Sequence, residues 1–487
     1  MKNKGEIMAG TLKENKMGTM RISRLLFSVS IPIIISMLVQ ALYNIVDTMF
    51  VAKLDSLHGT GALTLAFPMQ NLLLAVSIGM AVGINALLSR SLGQKNFEKA
   101  NKIAGQGFFL MACGYLLFLI TGIFLTKFYV DFQINLMQVD PKIDVDKLRL
   151  FTNQYVSMVT ICSFGVFVQV LSERLLQATG KTVLSMSIQL SGAIINIILD
   201  PILIFGVPAL GIPKMEVFGA ALATVIGQVI AAVVGIILNL VFNKEIKIKI
   251  KNFIPDGKLI GEILGISIPS IFMQAIGTVM TMSMNLILGS KFTMAAVNVF
   301  GIYFKLQSFV FMPVIGLNSG MIPILSYNYG AGKPKRVFKT MGIAYIAAVA
   351  YVLIGLLAFQ LFPELLLSIF DSKENPLDQN MINIGITALQ TISWSFLFAG
   401  FSIISIASCQ ALGKSIFSLF VSIGRQLVVL IPAAFLLSLL GDVKYVWWAF
   451  PIAELASLLL CGMFLIITLR SAFGKKKDII TEEKIHE

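Results

Sequence analysis

Apolar stretches recur along the whole chain, with short polar connections between them. Twelve stretches are long enough to cross a bilayer, for which a helix needs about 20 apolar residues. Several exceed that length, which predicts tilted or kinked helices. The predicted spans are 22–52, 62–88, 104–127, 148–173, 183–206, 217–242, 259–289, 295–325, 340–362, 382–410, 416–440 and 446–470. The pattern therefore predicts an all-α polytopic membrane protein with twelve transmembrane helices.

The composition supports a membrane protein and disfavours an enzyme. Of the 487 residues, 57% are hydrophobic and 13% are charged, which is about half the charged share of a soluble domain. The two histidines, His58 and His486, lie outside the predicted spans, so a histidine-based hydrolase or metal site has no obvious residue to use. The four cysteines fall in apolar stretches without a redox or metal-ligand spacing. We expect no cofactor.

The basic residues predict the orientation in the membrane. Twelve spans place both termini on one side, and the even-numbered connections on that side are rich in Lys and Arg, as at 95–102, 244–258 and 333–339. The odd-numbered connections are richer in acids. Because positively charged connections stay inside, both termini are predicted to be cytoplasmic and the protein to lie in the inner (plasma) membrane. The net charge of +13 is spread over many connections, so no nucleic-acid partner is expected.

The two halves of the chain repeat each other. Ile31-Pro32 recurs 237 residues later as Ile268-Pro269, and QATGK at 177–181 recurs as QALGK at 410–414. Further matches at the first offset are Phe67 with Phe304, Gln70 with Gln307, Gly79 with Gly316 and Gly83 with Gly320. Each half holds six spans, an even number, so both halves enter the membrane from the same side as a parallel repeat.

The repeat predicts the domain organisation. We expect a cytoplasmic N-terminal tail (1–21), an N-lobe (22–243), a cytoplasmic inter-lobe connection (244–258), a C-lobe (259–470) and a cytoplasmic C-terminal tail (471–487). Two six-helix lobes around a central cleft suit alternating access, so the architecture favours a transporter in the lipid bilayer. We expect it to be a monomer.

Polar residues inside the spans of the first half are the candidate site. Inserting the charged carboxylate of Asp47 in span one into the membrane costs roughly 2.5–3.5 kcal/mol on insertion scales. The corresponding residue of the repeat is Met284, so the fold itself does not require a carboxylate at this position. Asn196 and Asp200 lie one turn apart on one face of span five, and Thr224 lies in span six. Their oxygen atoms suit a hard cation such as Na⁺, and two close carboxylates also favour a bound proton. The alternative is a hydrogen-bond cluster that only holds three helices together.

The second half has its own polar candidates. Arg425 and Glu454 on neighbouring spans predict an ion pair that locks the C-lobe. Lys305 either faces the cleft or extends its amine to the membrane surface. Gln274 and Gln307 complete the polar side chains that could contact a substrate.

The order and spacing of these residues resemble the multidrug and toxic compound extrusion (MATE) family over roughly 20–470. The matching features are Asp in span one, N-x₃-D-P in span five, Ala-Thr in span six, and the stretches SRSLGQKN (89–96), LNSGMIPILSYNYGAGKPKR (317–336) and RQLVVLIP (425–432). The resemblance implies cation-coupled antiport, in which Na⁺ or H⁺ enters and an organic compound, often cationic and aromatic, leaves. It also implies that the cation-binding residues are Asp47, Asn196, Asp200 and Thr224.

The chain departs from one pattern of this family. Some members place acids in the middle of span seven and in span ten, whereas here span seven has only Glu262 near its inner end and span ten has none. The resemblance therefore implies coupling through the N-lobe. The alternative function is that of the related lipid-linked oligosaccharide flippases. Those proteins typically have more spans and several cations in the cleft to hold pyrophosphate, whereas this chain has few.

Overall fold

The computed structural model describes residues 15–54, 58–136, 144–247, 250–370 and 378–483. Most of the predicted N-terminal tail, the end of the C-terminal tail with His486, and two residues of the inter-lobe connection lie outside the described residues. The regular elements of the described part are helices.

The first half of the chain contains nine α-helices in its described residues. They are α1 (Lys16–Thr19), α2 (Ile22–Leu54), α3 (His58–Gly93), α4 (Phe97–Ile120), α5 (Thr126–Leu136), α6 (Val145–Ile161), α7 (Phe164–Ala178), α8 (Thr182–Phe205) and α9 (Glu216–Phe242). Single 3₁₀ turns follow at Pro208–Leu210, before α9, and at Ile250–Phe253, after it.

The second half continues the series over its own described residues. Its helices are α10 (Gly257–Lys291), α11 (Met294–Gly330), α12 (Pro334–Leu361), α13 (Pro363–Ser368), α14 (Gln379–Ser393), α15 (Phe396–Ala411), α16 (Ser415–Ile423), α17 (Ile431–Ser438), α18 (Val443–Val446) and α19 (Ala449–Glu483).

Two of the predicted spans are broken. Ten helical segments in the described residues are long and apolar enough to cross a membrane, and two helix pairs qualify only together. These pairs are α6 with α7, bent by 46°, and α14 with α15, bent by 49°. Twelve spans result when each pair counts as one, and the bends in spans four and ten agree with the expectation that the longer spans are tilted or kinked. The breaks, at Cys162-Ser163 and Trp394-Ser395, occupy the same place in each half.

Two π-helical segments interrupt other spans. One, Thr121–Leu125, joins α4 to α5, and the other, Gly424–Leu430, joins α16 to α17. A π-helical turn inserts an extra residue into the helix and is frequent at functional sites. The second segment carries the candidate Arg425.

The chain forms two compact units. The N-unit comprises Ile35–Leu92 and Asn96–Ile271, and the C-unit comprises the described residues up to Ile34, Gly93–Lys95 and those from Phe272 onwards. Helix α2 therefore begins in the C-unit and continues in the N-unit, and α10 does the reverse. These units do not coincide with the two predicted lobes, because the lobes are defined by the repeat in the sequence and the units by contacts in the structure. The lobe boundaries stay a prediction.

Small residues let helices approach closely inside each unit. In the N-unit, a Cβ atom at Gly83 of α3 would overlap Ser267 of α10, and the Ser267 hydroxyl donates to the backbone oxygen of Met80 at 3.1 Å. In the C-unit, the Ser30 hydroxyl of α2 donates to the backbone oxygen of Leu317 in α11 at 3.5 Å. The two serines and the two acceptors are each 237 residues apart, so the repeat extends to individual contacts.

Candidate functional site

Helices α8 and α9 bring three of the four predicted site residues into one hydrogen-bonded cluster. Asn196 and Asp200 are separated by one turn of α8, and the Asn196 amide donates to Asp200 Oδ1 at 3.2 Å. The same amide nitrogen lies 3.4 Å from Thr224 Oγ1 on α9. All three side chains are buried, and Asp200 is completely so. The fourth residue, Asp47 of α2, is also buried, with 7% of its surface exposed.

Three of the four predicted site residues each have one unsatisfied oxygen atom. Asp47 Oδ1, Asn196 Oδ1 and Asp200 Oδ2 are buried and accept no hydrogen bond from the described residues. A buried polar atom without a partner is costly, and a buried carboxylate more so. A cation or a proton among these oxygens would remove that cost. The donor set therefore fits Na⁺, which prefers carboxylate, amide and hydroxyl oxygens, and it equally fits a proton shared between acids.

A cavity of about 190 Å³ reaches Asp47 and Thr224 within the N-unit. Polar and aromatic side chains line it, among them Tyr43, Gln70, Tyr155 and Gln228. Gln70 donates to the Tyr155 hydroxyl at 3.0 Å, which fixes one wall. The cavity gives the carboxylate of Asp47 a polar approach within the N-unit.

Glycines explain why α8 and α9 lie close enough to form the cluster. A Cβ atom at Gly227 would lie 2.8 Å from the backbone oxygen of Gly192 and 3.3 Å from Asn196 Cβ. Two helices that approach through small residues bring the side chains beside the contact together. Thr224 lies one turn before Gly227, so the close contact places its hydroxyl next to Asn196.

Three residues of the cavity wall, Tyr43, Gln70 and Tyr155, are not among the predicted site residues. Tyr43 lies one turn before Asp47, so helical periodicity could have placed it on the same face. Gln70 stands out in the sequence only as a match to Gln307 in the repeat. Tyr155 carries no sequence signal, because a tyrosine on an apolar helix face usually belongs to the core. Met284, the repeat partner of Asp47, is completely buried, as an apolar residue at this position should be.

The candidates of the second half are only partly brought together. Arg425 Nη1 lies 2.7 Å from Glu454 Oε1, so the expected pairing is present, although its role stays a prediction. Lys305 is exposed and its amine lies 5.8 Å from the centre of the Phe370 ring. Gln274 is exposed and Gln307 is half-buried. Of these candidates, the structure therefore brings Arg425 and Glu454 into contact within the C-unit.

Comparisons with known proteins agree with the architecture. The model of the MatE family matches residues 32–202 and 269–436, one segment in each half of the repeat. Over 460 residues the chain is 27% identical to the multidrug export protein MepA of Staphylococcus haemolyticus (strain JCSC1435), which covers 93% of this chain and 95% of that protein. It is 25% identical over 449 residues to MepA of Staphylococcus aureus (strain MSSA476), with 91% and 92% covered.

Solved structures match over almost the whole chain. An outward-facing multidrug resistance MATE transporter of the MOP superfamily superposes with a TM-score of 0.82 at 21% identity, covering 95% of this chain and 99% of that one. The MATE multidrug transporter DinF-BH superposes with the same TM-score at 28% identity and the same coverage. The predicted all-helical polytopic fold is thus confirmed.

Proposed function

Because this chain belongs to the MATE family of membrane transporters, we propose that it is a secondary antiporter that exports organic compounds in exchange for Na⁺ or H⁺. Export proceeds by alternating access, with both termini in the cytoplasm. The family consists of transporters and not of enzymes. The curated relatives are named as multidrug export proteins, which supports drugs and similar organic molecules as the substrates.

The three unsatisfied oxygens of Asp47, Asn196 and Asp200 carry the coupling part of the proposal. The carboxylates of Asp47 and Asp200 each keep one buried oxygen without a hydrogen-bond donor among the described residues, so the site gains stability when it takes up one positive charge. Transport requires that this uptake be reversible, and the neighbouring cavity supplies a polar route to Asp47. The coupling ion therefore binds at Asp47, Asp200, Asn196 and Thr224.

The volume of the cavity limits the size of the ligand that can bind beside Asp47. Pockets for whole drug molecules usually measure about 300–1,000 Å³, whereas this cavity measures about 190 Å³. It is large enough for an ion with several waters or for one end of an organic cation. Tyr43 and Tyr155 offer aromatic surfaces near the Asp47 carboxylate, an arrangement that favours a cationic group. Ion and substrate therefore compete for the same carboxylate.

Uptake into inverted membrane vesicles, which corresponds to efflux from the cell, tests the proposal. A fluorescent organic cation is supplied, and a Na⁺ gradient and a pH gradient are imposed separately. We expect one gradient to drive transport, and Asp47→Asn to abolish the gradient-driven part, because asparagine keeps the size and removes the charge. Asp131→Asn is the matched control, since Asp131 is an exposed carboxylate paired with Arg149. Full gradient-driven efflux by Asp47→Asn would remove Asp47 from the mechanism.

A further inference from the structure

The N-unit holds a third intramembrane carboxylate, which the proposed cation site does not use. Glu173 is the tenth of the 15 residues of α7, so it lies about 7.5 Å along the helix before the end at Ala178. In the predicted orientation that end is the cytoplasmic one. The side chain is partly buried. Because a carboxylate inside a span is costly and usually marks an ion pathway, Glu173 is a candidate for contact with a cation.

Glu173 belongs to a hydrogen-bonded group on α7 and α8, which we call the inner polar group and which consists of Gln169, Glu173 and Gln189. The amide nitrogen of Gln169, one turn earlier on α7, donates to Glu173 Oε1 at 3.0 Å and to Gln189 Oε1 on α8 at 2.8 Å. The adjacent Arg174 attracts the carboxylate, but its Nη1 donates to Gln177 Oε1 at 2.7 Å instead. Two acceptor oxygens, one of them from a carboxylate, therefore converge on one amide nitrogen.

This arrangement is able to ligate a cation after one rotation. Carboxylate and amide oxygens are ligands of hard cations. Rotating the Gln169 amide by half a turn exchanges its nitrogen for its oxygen, so that three oxygens, of Gln169, Glu173 and Gln189, face one point. The glutamine can therefore bridge the other two oxygens through its nitrogen or join them as a ligand through its oxygen.

Helix packing does not require the carboxylate. At the repeat offset of 233, Glu173 corresponds to Ile406, which lies in an apolar cluster of the C-unit. Gln189 corresponds to Ser422, so the amide is also particular to the first half of the chain. The fold thus accommodates an apolar side chain where Glu173 stands, as it accommodates Met284 at the position of Asp47.

Helices α7 and α9 link the inner polar group to the cavity beside Asp47. Gln228 lies one turn after Thr224 on α9 and lines the cavity, and its Oε1 is buried without a partner among the described residues. The backbone at Gln228 packs on Gly165 of α7, where a Cβ atom would lie 3.1 Å from the carbonyl carbon of Gln228. Gln169 follows Gly165 by one turn, so an unsatisfied amide oxygen of the cavity wall lies beside the helix that carries the inner polar group.

Helix α8 links the same two places. Gln189, Asn196 and Asp200 lie on one face of the helix, because seven and four residues separate them, and about 16 Å lies between the first and the last. The Tyr43 hydroxyl, which lines the cavity, is within electrostatic range of both Asp200 and Glu173. The inner polar group is therefore about three helical turns from the proposed cation site, on its predicted cytoplasmic side.

We propose that the inner polar group is a second site for a hard monovalent cation such as Na⁺, which the ion occupies on its way between Asp47 and the cytoplasm. The inference rests on the proposed function, because it assigns the route of the coupling ion. The glutamines favour a metal ion over a proton, since an amide ligates a cation through its oxygen but does not titrate near neutral pH.

Equilibrium binding of radiolabelled Na⁺ to the purified protein tests this proposal. Binding is measured for Asp47→Asn, in which the first site has lost a charged ligand, and for Asp47→Asn/Glu173→Gln, with choline chloride keeping the ionic strength constant. We expect Asp47→Asn to retain saturable Na⁺ binding. Adding Glu173→Gln should then raise the dissociation constant about tenfold or more, as for a lost charged ligand.

Controls separate this outcome from general damage. Glu262→Gln makes the same change at a half-exposed carboxylate of the N-unit, which pairs with Lys99 at 2.7 Å, and should leave the Na⁺ affinity of Asp47→Asn unchanged. Gln189→Met removes an amide oxygen without changing any charge, and it should also weaken Na⁺ binding by Asp47→Asn. It replaces Glu173→Gln should that variant fail to elute as a monodisperse protein.

Three outcomes would overturn the second site and leave the proposed export in place. They are loss of all Na⁺ binding in Asp47→Asn alone, residual binding that Glu173→Gln does not weaken, and absence of Na⁺ binding by a wild-type protein whose transport a pH gradient drives. A wild-type protein that neither gradient drives in the vesicle assay would instead count against the proposed export itself, whatever its Na⁺ binding.

Discussion

The close contact between α8 and α9 makes Gly227→Ala a sensitive test of the site geometry. The added Cβ atom would lie 2.8 Å from the backbone oxygen of Gly192, whereas ordinary contacts begin near 3.4 Å. Backbone cannot move aside as a side chain can, so the two helices must separate by about 0.6 Å, at a typical overpacking cost of about 1–3 kcal/mol. The hydrogen bond from Asn196 to Thr224 is already 3.4 Å long, and this separation breaks it.

We therefore expect Gly227→Ala to lower the midpoint of thermal unfolding in detergent and to reduce gradient-driven efflux together. Gly261→Ala is the matched control, because Gly261 is also helical but its Cβ would meet nothing within 4 Å. That variant should be unchanged or stabilised by about 0.4–1 kcal/mol through loss of unfolded-state entropy. If Gly227→Ala proved as stable and as active as Gly261→Ala, the close helix contact would not be what assembles the cation site.

Three other predictions follow from the same cluster and from the predicted orientation. If Asp47 and Asp200 hold one ion together, the double variant Asp47→Asn/Asp200→Asn should be about as defective in efflux as either single variant, and additive defects would show separate roles. If ion and drug compete, equilibrium drug affinity of the purified protein should fall across a Na⁺ series or with falling pH, by linkage; affinity that is flat in both series would refute competition. A cysteine introduced at Asn252 should react with an impermeant maleimide only from the cytoplasmic side, and labelling only from outside intact cells would invert the topology.

The parts of the fold that could be predicted are those with a strong energetic signal. Long apolar stretches and the repeat indicate the twelve spans, and the cost of a carboxylate in a span draws attention to Asp47. The positions of the breaks in spans four and ten escape prediction because Cys162-Ser163 and Trp394-Ser395 contain neither proline nor glycine, the usual causes of a kink. The π-helical segments are missed for a related reason, since no residue type specifies them.

The site was predictable to the extent that its residues are unusual for their surroundings. Asn196, Asp200 and Thr224 stand out by polarity, and their spacing on two helices allows them to be grouped before the contacts are known. Tyr155 does not stand out, because its role in the cavity depends on a hydrogen bond to Gln70, 85 residues away. Contacts of that range depend on the packing of whole helices, which hydrophobic periodicity does not determine.

The exchange of half-helices between the two units has a consequence for biosynthesis. The backbone oxygen of Met80 in α3 accepts its hydrogen bond from Ser267, which is synthesised 187 residues later. The Ser30 hydroxyl donates its hydrogen bond to the backbone oxygen of Leu317, which is synthesised 287 residues later. At about 5–20 residues per second, the ribosome needs on the order of 10–60 s to deliver these partners. During that interval the glycine-lined face of α3 lies in the membrane without its native neighbour. Neither half of the gene product can complete its packing alone, so cutting the chain within 244–258 should yield two fragments that fold only when they are synthesised together.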